Sequence, residues 1–163
     1  MKKHSTTPWN VSLNYLAKKN RTEKEMRTHL VRYEFSHEEV DDCIERLKAQ
    51  GYIDDREYAR HSLMKKYMQK NDSTAMIRQR LKNEGIKQEI IEEIMENMDK
   101  EYESDAFERF LHKEVRYKEE KDIRWEKIYR KAMRLGFDSS MIYLHAQAKQ
   151  NDEEQTSSEG EDL

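Results

Sequence analysis

Apolar residues recur along the chain at helical spacing, and the polar positions between them carry signals that start and stop helices. Trp9, Val11, Leu13 and Leu16 mark a first helix that runs into Ala17-Lys18-Lys19. Thr22 with Glu25 is a capping box, the pairing in which each side chain satisfies the other's backbone N–H, and it opens a second helix through Met26, Leu30 and Tyr33. Phe35 stands at the corner. Ser36 with Glu39 is another capping box, ahead of a third helix in which Val40, Cys43, Ile44 and Leu47 have the i, i+3, i+4, i+7 spacing of a buried stripe. These elements predict a three-helix unit.

The pattern then returns. Met26, Leu30, Phe35, Val40, Cys43, Ile44 and Leu47 correspond to Ile77, Leu81, Ile86, Ile91, Ile94, Met95 and Met98, each displaced by 51 positions. Ile128, Ala132, Phe137, Ile142, His145 and Ala146 follow at the same displacement, with His145 in an apolar slot and the stripe fading by Lys149. Gly85 and Gly136 fill matching corners where the first copy has Glu34. Ala106, Phe107, Phe110, Leu111 and Val115 define a further amphipathic helix, and the charged run Lys118-Glu119-Glu120-Lys121-Asp122 after it reads as a linker.

Copies one and two meet at Gly51-Tyr52-Ile53-Asp54-Asp55-Arg56-Glu57-Tyr58-Ala59. Gly51 follows the last periodic residues and supplies the left-handed conformation that stops a helix. Asp54, three residues before Glu57, is an N-cap, so a new helix is expected to begin at about Asp55. Asp54 and Asp55 are expected to cap, and Tyr52, Ile53 and Tyr58 to pack.

Composition narrows the class. Four Gly and one Pro leave few breakers, so helix is the default nearly everywhere. Apolar residues make up 35% and charged residues 40%, which suits a thin core spread along repeats better than one deep core. The expected fold is all-α: an elongated, curved tandem array of three three-helix repeats. The expected boundaries are a disordered start over 1–8, repeats over 9–53, 54–100 and 101–149, the last degenerate, and an acidic disordered tail over 150–163. That tail carries Asp152, Glu153, Glu154, Glu159, Glu161 and Asp162 and no base, which leaves the rest of the chain at +3 against a net charge of −3.

Candidate chemistry is sparse. The six histidines show no metal-ligand spacing with one another or with the single Cys43, and there is no phosphate loop, nucleophile elbow or H-E-x-x-H pattern. No catalytic residue, metal site or cofactor is expected. No apolar run is long enough to cross a membrane, and Met1-Lys2-Lys3-His4-Ser5 leads into no hydrophobic stretch, so the expectation is a cytoplasmic, monomeric protein without a membrane partner. Surface charge says more. With Met26, Leu30 and Tyr33 taken as the buried side of the second helix, Arg21, Lys24 and Arg32 fall together on the opposite side. Lys127, Arg130 and Arg134 repeat the arrangement in the third copy, while the second shows Lys82 with Arg78 and Arg80 on its flanks. Such faces suit phosphates or an acidic protein groove, and equally suit ordinary solubilising charge.

The junction resembles the signature of the RecX family of bacterial recombination regulators, in which Gly-aromatic-Ile/Leu-Asp-Asp is followed by Arg, an aromatic residue and Ala. Here it is carried by Gly51, Tyr52, Ile53, Asp54, Asp55, Arg56, Tyr58 and Ala59. Leu13-Asn14-Tyr15-Leu16-Ala17 with Arg21 and Glu25-Met26-Arg27, and Ile77-Arg78-Gln79-Arg80-Leu81 with Gly85-Ile86, are also similar to family patterns, so the likeness runs over about residues 9 to 148. It departs in the weak third repeat and the acidic tail. The resemblance implies a non-enzymatic modulator of RecA that lies in the groove of the RecA–DNA filament and restrains its growth, ATP hydrolysis and strand exchange. Two alternatives stay open: a helical module that binds single- or double-stranded DNA directly, and a helical-repeat adaptor for another protein.

Overall fold

A computed structural model describes residues 7–159 of the chain. All its regular structure there is helical. In chain order the elements are α1 (Pro8–Leu16), α2 (Glu23–Val31), α3 (His37–Ala49), α4 (Asp55–Glu57), a π-helical segment (Tyr58–Leu63), α5 (Met64–Met68), α6 (Thr74–Asn83), α7 (Gln88–Glu96), α8 (Tyr102–Val115), a 3-10 turn (Glu120–Asp122), α9 (Trp125–Arg134) and α10 (Ser139–Glu159). α4, the π-helical segment and α5 run on without a break and together form the first helix of the second copy.

Both predicted capping boxes form. Thr22 Oγ1 accepts from the Glu25 N–H at 3.1 Å while Glu25 Oε2 accepts from the Thr22 N–H at 3.2 Å. Ser36 and Glu39 repeat the exchange at 3.2 and 2.9 Å. Gly51, Gly85 and Gly136 all have positive φ, and each closes its helix with the paired bonds of a Schellman motif. At Gly85, for instance, its own N–H donates to the Lys82 carbonyl at 3.0 Å and the Ile86 N–H donates to Leu81 at 3.1 Å.

The repeat has two periods. Second helices begin at Glu23, Thr74 and Trp125, and third helices at His37, Gln88 and Ser139, all 51 residues apart. First helices begin at Pro8, Asp55 and Tyr102, 47 apart. The stretch from the start of the first helix to the start of the second therefore grows by four residues per copy, about one helical turn. Ser12, Ala59 and Ala106 keep the 47-residue spacing and are all fully buried, small side chains where the first helix comes close to the core.

The chain packs as two compact units. One holds the chain up to Lys66 together with Arg78–Asn97; the other holds Tyr67–Ile77 together with the chain from Met98 onward. The core of unit 1 begins with Val11, Met26, Leu30, Val40, Cys43, Ile44, Leu47 and Ile53, against which Trp9, Tyr15, Leu16 and Phe35 pack. Met26, Leu30, Ile44 and Leu47 are fully buried, each contributing about 1.5–3 kcal/mol of transfer free energy. Cys43 packs there as a small apolar residue, its Sγ 3.5 Å from Ser12 Oγ. Unit 2 is aromatic at its centre: the Phe137 ring lies 5.5 Å from Phe107 and 5.3 Å from Phe110.

Several expectations are corrected. Tyr33 lies beyond the end of α2 and is 40% exposed, so it does not belong to the buried side of that helix. Tyr52 is 49% exposed, its ring edge-on to Trp9 at 5.7 Å, and the corner is anchored by Ile53 instead. At the N-terminal end Thr7 caps α1 and Pro8 is its first residue, a position that needs no N–H; residues 1–6 lie outside the described residues. At the other end α10 continues through residues 150–159, where disorder was expected. A helix already nucleated extends at little cost, and no Gly or Pro stands between Gly136 and Gly160. Residues 160–163 lie outside the described residues.

His145 is not a worn position. Its Nδ1 lies 2.9 Å from Tyr129 Oη, and its ring meets Phe107 at 5.9 Å and Trp125 at 5.3 Å. Burial pushes its pKa down, Glu108 opposes that shift, and Lys149 adds to it.

Candidate functional site

The junction residues each have a structural task within unit 1. Gly51 has a φ of 72° with nothing within 4 Å of where a Cβ would stand, so glycine is needed there for conformation alone. Asp54 caps α4, its Oδ1 accepting from the Glu57 N–H at 3.0 Å. Asp55 caps a different helix: its Oδ1 accepts from the Glu23 N–H at 2.9 Å, at the first residue of α2. Burial pushes the Asp55 carboxyl up, the Glu23 N–H bond pulls it down, and the Glu23 and Asp54 carboxylates raise it further. Arg56 and Arg60 both pair with Glu93 of α7. Ala59 is fully buried at the π-helical turn, where the Met64 N–H reaches back to the Ala59 carbonyl, and Tyr58 is half-buried. The family-like stretch is thus a structural hub.

A latch that the apolar pattern does not reveal joins successive copies. The N-cap hydroxyl Thr22 Oγ1 also donates to the Glu84 carbonyl at 3.0 Å, at the end of the next copy's second helix. Lys24 Nζ donates to the neighbouring Asn83 carbonyl at 2.9 Å, a cation at a helix C-terminus. In unit 2, 51 residues on, Ser73 Oγ donates to the Leu135 carbonyl at 2.5 Å. Glu103 Oε2 accepts from the Thr74 N–H at 2.7 Å, the counterpart of Asp55 on Glu23. The latch explains the corner glycines. A Cβ on Gly85 would stand 2.4 Å from Lys24 Cδ and 2.6 Å from Lys24 Cβ, and one on Gly136 would stand 3.0 Å from Ala75 Cβ. Glu34 takes the same left-handed conformation at φ 61° but is exposed, so the first copy needs no glycine.

The predicted basic faces differ in kind. Arg21 precedes the N-cap of α2, and its side chain is only 12% exposed. It lies over the Tyr15 ring at 3.9 Å, pairs with Glu25 at 3.3 Å, and its Nε is buried without a hydrogen-bond partner. Behind it Tyr15 stacks on His29 at 3.7 Å. Burial first, then Arg21, Arg32 and Lys18, hold the His29 pKa down. Lys24 is bound into the latch, and Arg32, exposed at the end of α2, is the member of that trio left facing solvent. Arg78 pairs with Glu92 at 2.6 Å, and Lys82 is exposed. On α9 the inward residues are Ile128 and Ala132, and Lys127, Arg130 and Arg134 are exposed on the far side. Arg130 pairs with Glu126 at 3.1 Å, an exposed pair that leaves the arginine available. The third copy therefore offers the one intact basic face among the three predicted. Among the described residues no three of His, Cys, Asp and Glu are grouped to hold a metal ion, and no helix is long and apolar enough to cross a membrane.

Known proteins give this geometry a context. A family described as "RecX, first three-helix domain" matches residues 9–47. The chain is 26% identical over 149 residues to the regulatory protein RecX of Streptococcus gordonii, covering 90% of this chain and 58% of that one. It is 28% identical over 134 residues to regulatory protein RecX of Chlorobium phaeobacteroides, covering 82% and 87%. A crystal structure of a regulatory protein RecX superposes with a TM-score of 0.70 at 24% identity, covering 82% of this chain and 67% of the other. The chain spans about half the length of several curated relatives that it matches.

Proposed function

This chain belongs to the RecX family, and from that membership we propose that it regulates the RecA recombinase by lying in the groove of the RecA–DNA filament. There it restrains filament growth, ATP hydrolysis and strand exchange by steric and electrostatic occupation, and makes or breaks no bond itself. The observation that carries this reading is the junction Gly51–Ala59, in which Asp55 ties copy two to the start of α2 in copy one while Asp54 and Arg56 cap and pair helices of copy two. Tandem copies suit a filament because each presents a similar helix to successive subunits, and linked weak contacts add up to a long-lived complex. The protein acts in the cytoplasm, as a monomer and without cofactor. Within it, Lys127, Arg130 and Arg134 of α9 are the cations best placed to meet filament carboxylates or DNA phosphate.

The test is RecA ATP hydrolysis on single-stranded DNA with the purified full chain added. Hydrolysis and strand exchange are expected to fall at substoichiometric ratios; no effect at equimolar protein refutes the reading. The same exposed α9 face favours a second reading, direct binding to DNA. Tight association with bare DNA that weakens steeply between two salt concentrations, in the absence of recombinase, would favour it.

A further inference from the structure

The corresponding corners of the two units differ in one respect that the repeat itself does not require. In unit 1 two lysines are neutralised: Lys19 Nζ pairs with Glu25 at 3.2 Å and Lys66 Nζ with Glu84 at 3.6 Å. In unit 2 the two lysines persist as Lys70 and Lys113, at the 51- and 47-residue displacements of their respective helices. Both carboxylates are gone: Met76 stands where Glu25 stood, and Leu135 where Glu84 stood. Lys70 and Lys113 are exposed and have no ion-pair partner among the described residues. Asp72 also replaces the bulky Arg21 that fills the equivalent place in unit 1. The result is a cleft of about 200 Å³ lined by Met76, Leu135, Phe110 and Phe137 and rimmed by Lys70 and Lys113.

We propose that this cleft is a docking site for an acidic protein segment carrying one large apolar side chain, which seats against Met76, Leu135 and the phenylalanine edges while flanking carboxylates meet Lys70 and Lys113. A mixed recess the size of a single side chain, with apolar side chains in its wall and charge around it, is a form in which protein partners seat an anchor residue. The two further groups at the rim decide the class of partner. Lys131 is already paired with Glu114 at 2.6 Å, and Glu114 and Asp72 both line the cleft. Carboxylates at those places repel a phosphate chain. The cleft is a property of unit 2 alone and does not presuppose the recombinase as its partner.

The test uses the full chain and a fluorescein-labelled peptide, Gly-Asp-Glu-Phe-Glu-Asp-Gly, read by anisotropy. Binding that weakens with salt is expected, and it should fall roughly tenfold or more when the peptide's Phe becomes Ser or its acids become Asn and Gln. Met76→Glu rebuilds the unit 1 arrangement, with a Ser-x-x-Glu capping box to Ser73, so it should abolish binding while the protein melts no lower than before. Lys113→Glu should weaken binding with the fold intact by circular dichroism. No binding of the peptide, equal binding by M76E, or equal binding of the uncharged peptide overturns the proposal. Displacement of the peptide by a single-stranded oligonucleotide at lower concentration than by unlabelled peptide overturns it as well, and makes the cleft a nucleic-acid site.

Discussion

Gly51, Gly136 and Gly85 adopt nearly the same left-handed backbone, at φ values of 72, 79 and 87°, yet alanine is expected to cost different amounts at each. At Gly51 the only penalty is conformational, because nothing lies within 4 Å of the new Cβ. A left-handed alanine costs roughly 1–2 kcal/mol, and the stiffer unfolded chain returns roughly 0.4–1, so the net loss is about 1 kcal/mol. At Gly85 the Cβ would overlap Lys24 Cβ as well as Cδ, so moving the tip of the lysine does not relieve it. Overpacking adds roughly 1–3 kcal/mol. Displacing Lys24 also strains its bond to the Asn83 carbonyl and the adjacent Thr22–Glu84 bond, each worth roughly 0.5–1.5 kcal/mol. Gly85→Ala should therefore cost about 3–5 kcal/mol. Gly136→Ala, whose Cβ meets Ala75 Cβ at 3.0 Å and Ser73 Oγ at 3.3 Å, should fall between the two.

Trp9 and Trp125 make this measurable, because one lies in each unit. In a Trp125→Phe background the fluorescence of Trp9 follows unit 1 through urea unfolding. The midpoint should move little for Gly51→Ala and much further for Gly85→Ala, a difference of about 2 kcal/mol or more. Lys24→Ala should recover part of the loss at Gly85, since it removes the contact to Cδ but leaves the one to Cβ. Equal losses at Gly51 and Gly85 would refute the reasoning, and so would full recovery by Lys24→Ala.

Replacing Ser73 by Ala removes both an N-cap and the latch to Leu135, so unit 2 should lose about 2 kcal/mol while unit 1 is unaffected, read by Trp125 in a Trp9→Phe background. Arg56→Ala should cost less than about 1 kcal/mol in urea unfolding, because its pair with Glu93 is half exposed and Arg60 still reaches that carboxylate. The folded pKa values of His29 and His145 are held below the ordinary value of about 6.5, so folding favours the neutral rings. Stability should be complete above that pH, fall as the pH drops below it, and level off once the folded rings are protonated. Thermal melts from pH 8 to 5 should show the fall, and His29→Phe with His145→Phe should flatten it. Reversing Lys127, Arg130 and Arg134 should weaken inhibition of recombinase ATP hydrolysis without lowering the melting temperature, whereas Arg21→Glu should lower it.

The sequence made the second and third helices of each copy legible because their buried positions are large and apolar and recur at one displacement. Met26, Ile77 and Ile128 are all buried, as are Leu30, Leu81 and Ala132. The first helices were harder to align because their deepest positions, Ser12, Ala59 and Ala106, are small and carry almost no hydrophobic signal, and because they recur every 47 residues. Tertiary capping was not legible at all. Asp55 resembles a second cap for its own helix, and only the folded chain brings it to Glu23, 32 positions away. The outward placement of Arg21 failed because it extrapolated helical geometry to a residue that lies before the N-cap.

That failure bears on where function should be sought. Residues shared between copies, and those of the family-like junction, are occupied with one another: Thr22 and Ser73 in latches, Asp54 and Asp55 in caps, Arg56 and Arg60 on Glu93. Side chains already engaged in this way have little left to offer a partner without unfolding their own unit. The groups free to bind are those at which the copies diverge. Arg32, Lys127 and Arg134 lack the ties that hold Arg21, Lys24 and Arg78, and Arg130 is held only by its exposed pair with Glu126. Lys70 and Lys113 have lost the acids that hold Lys19 and Lys66. Identity and binding thus draw on separate residues, and substitution should separate them: variants at the junction should lose stability first, and variants at the divergent cations should lose partners first.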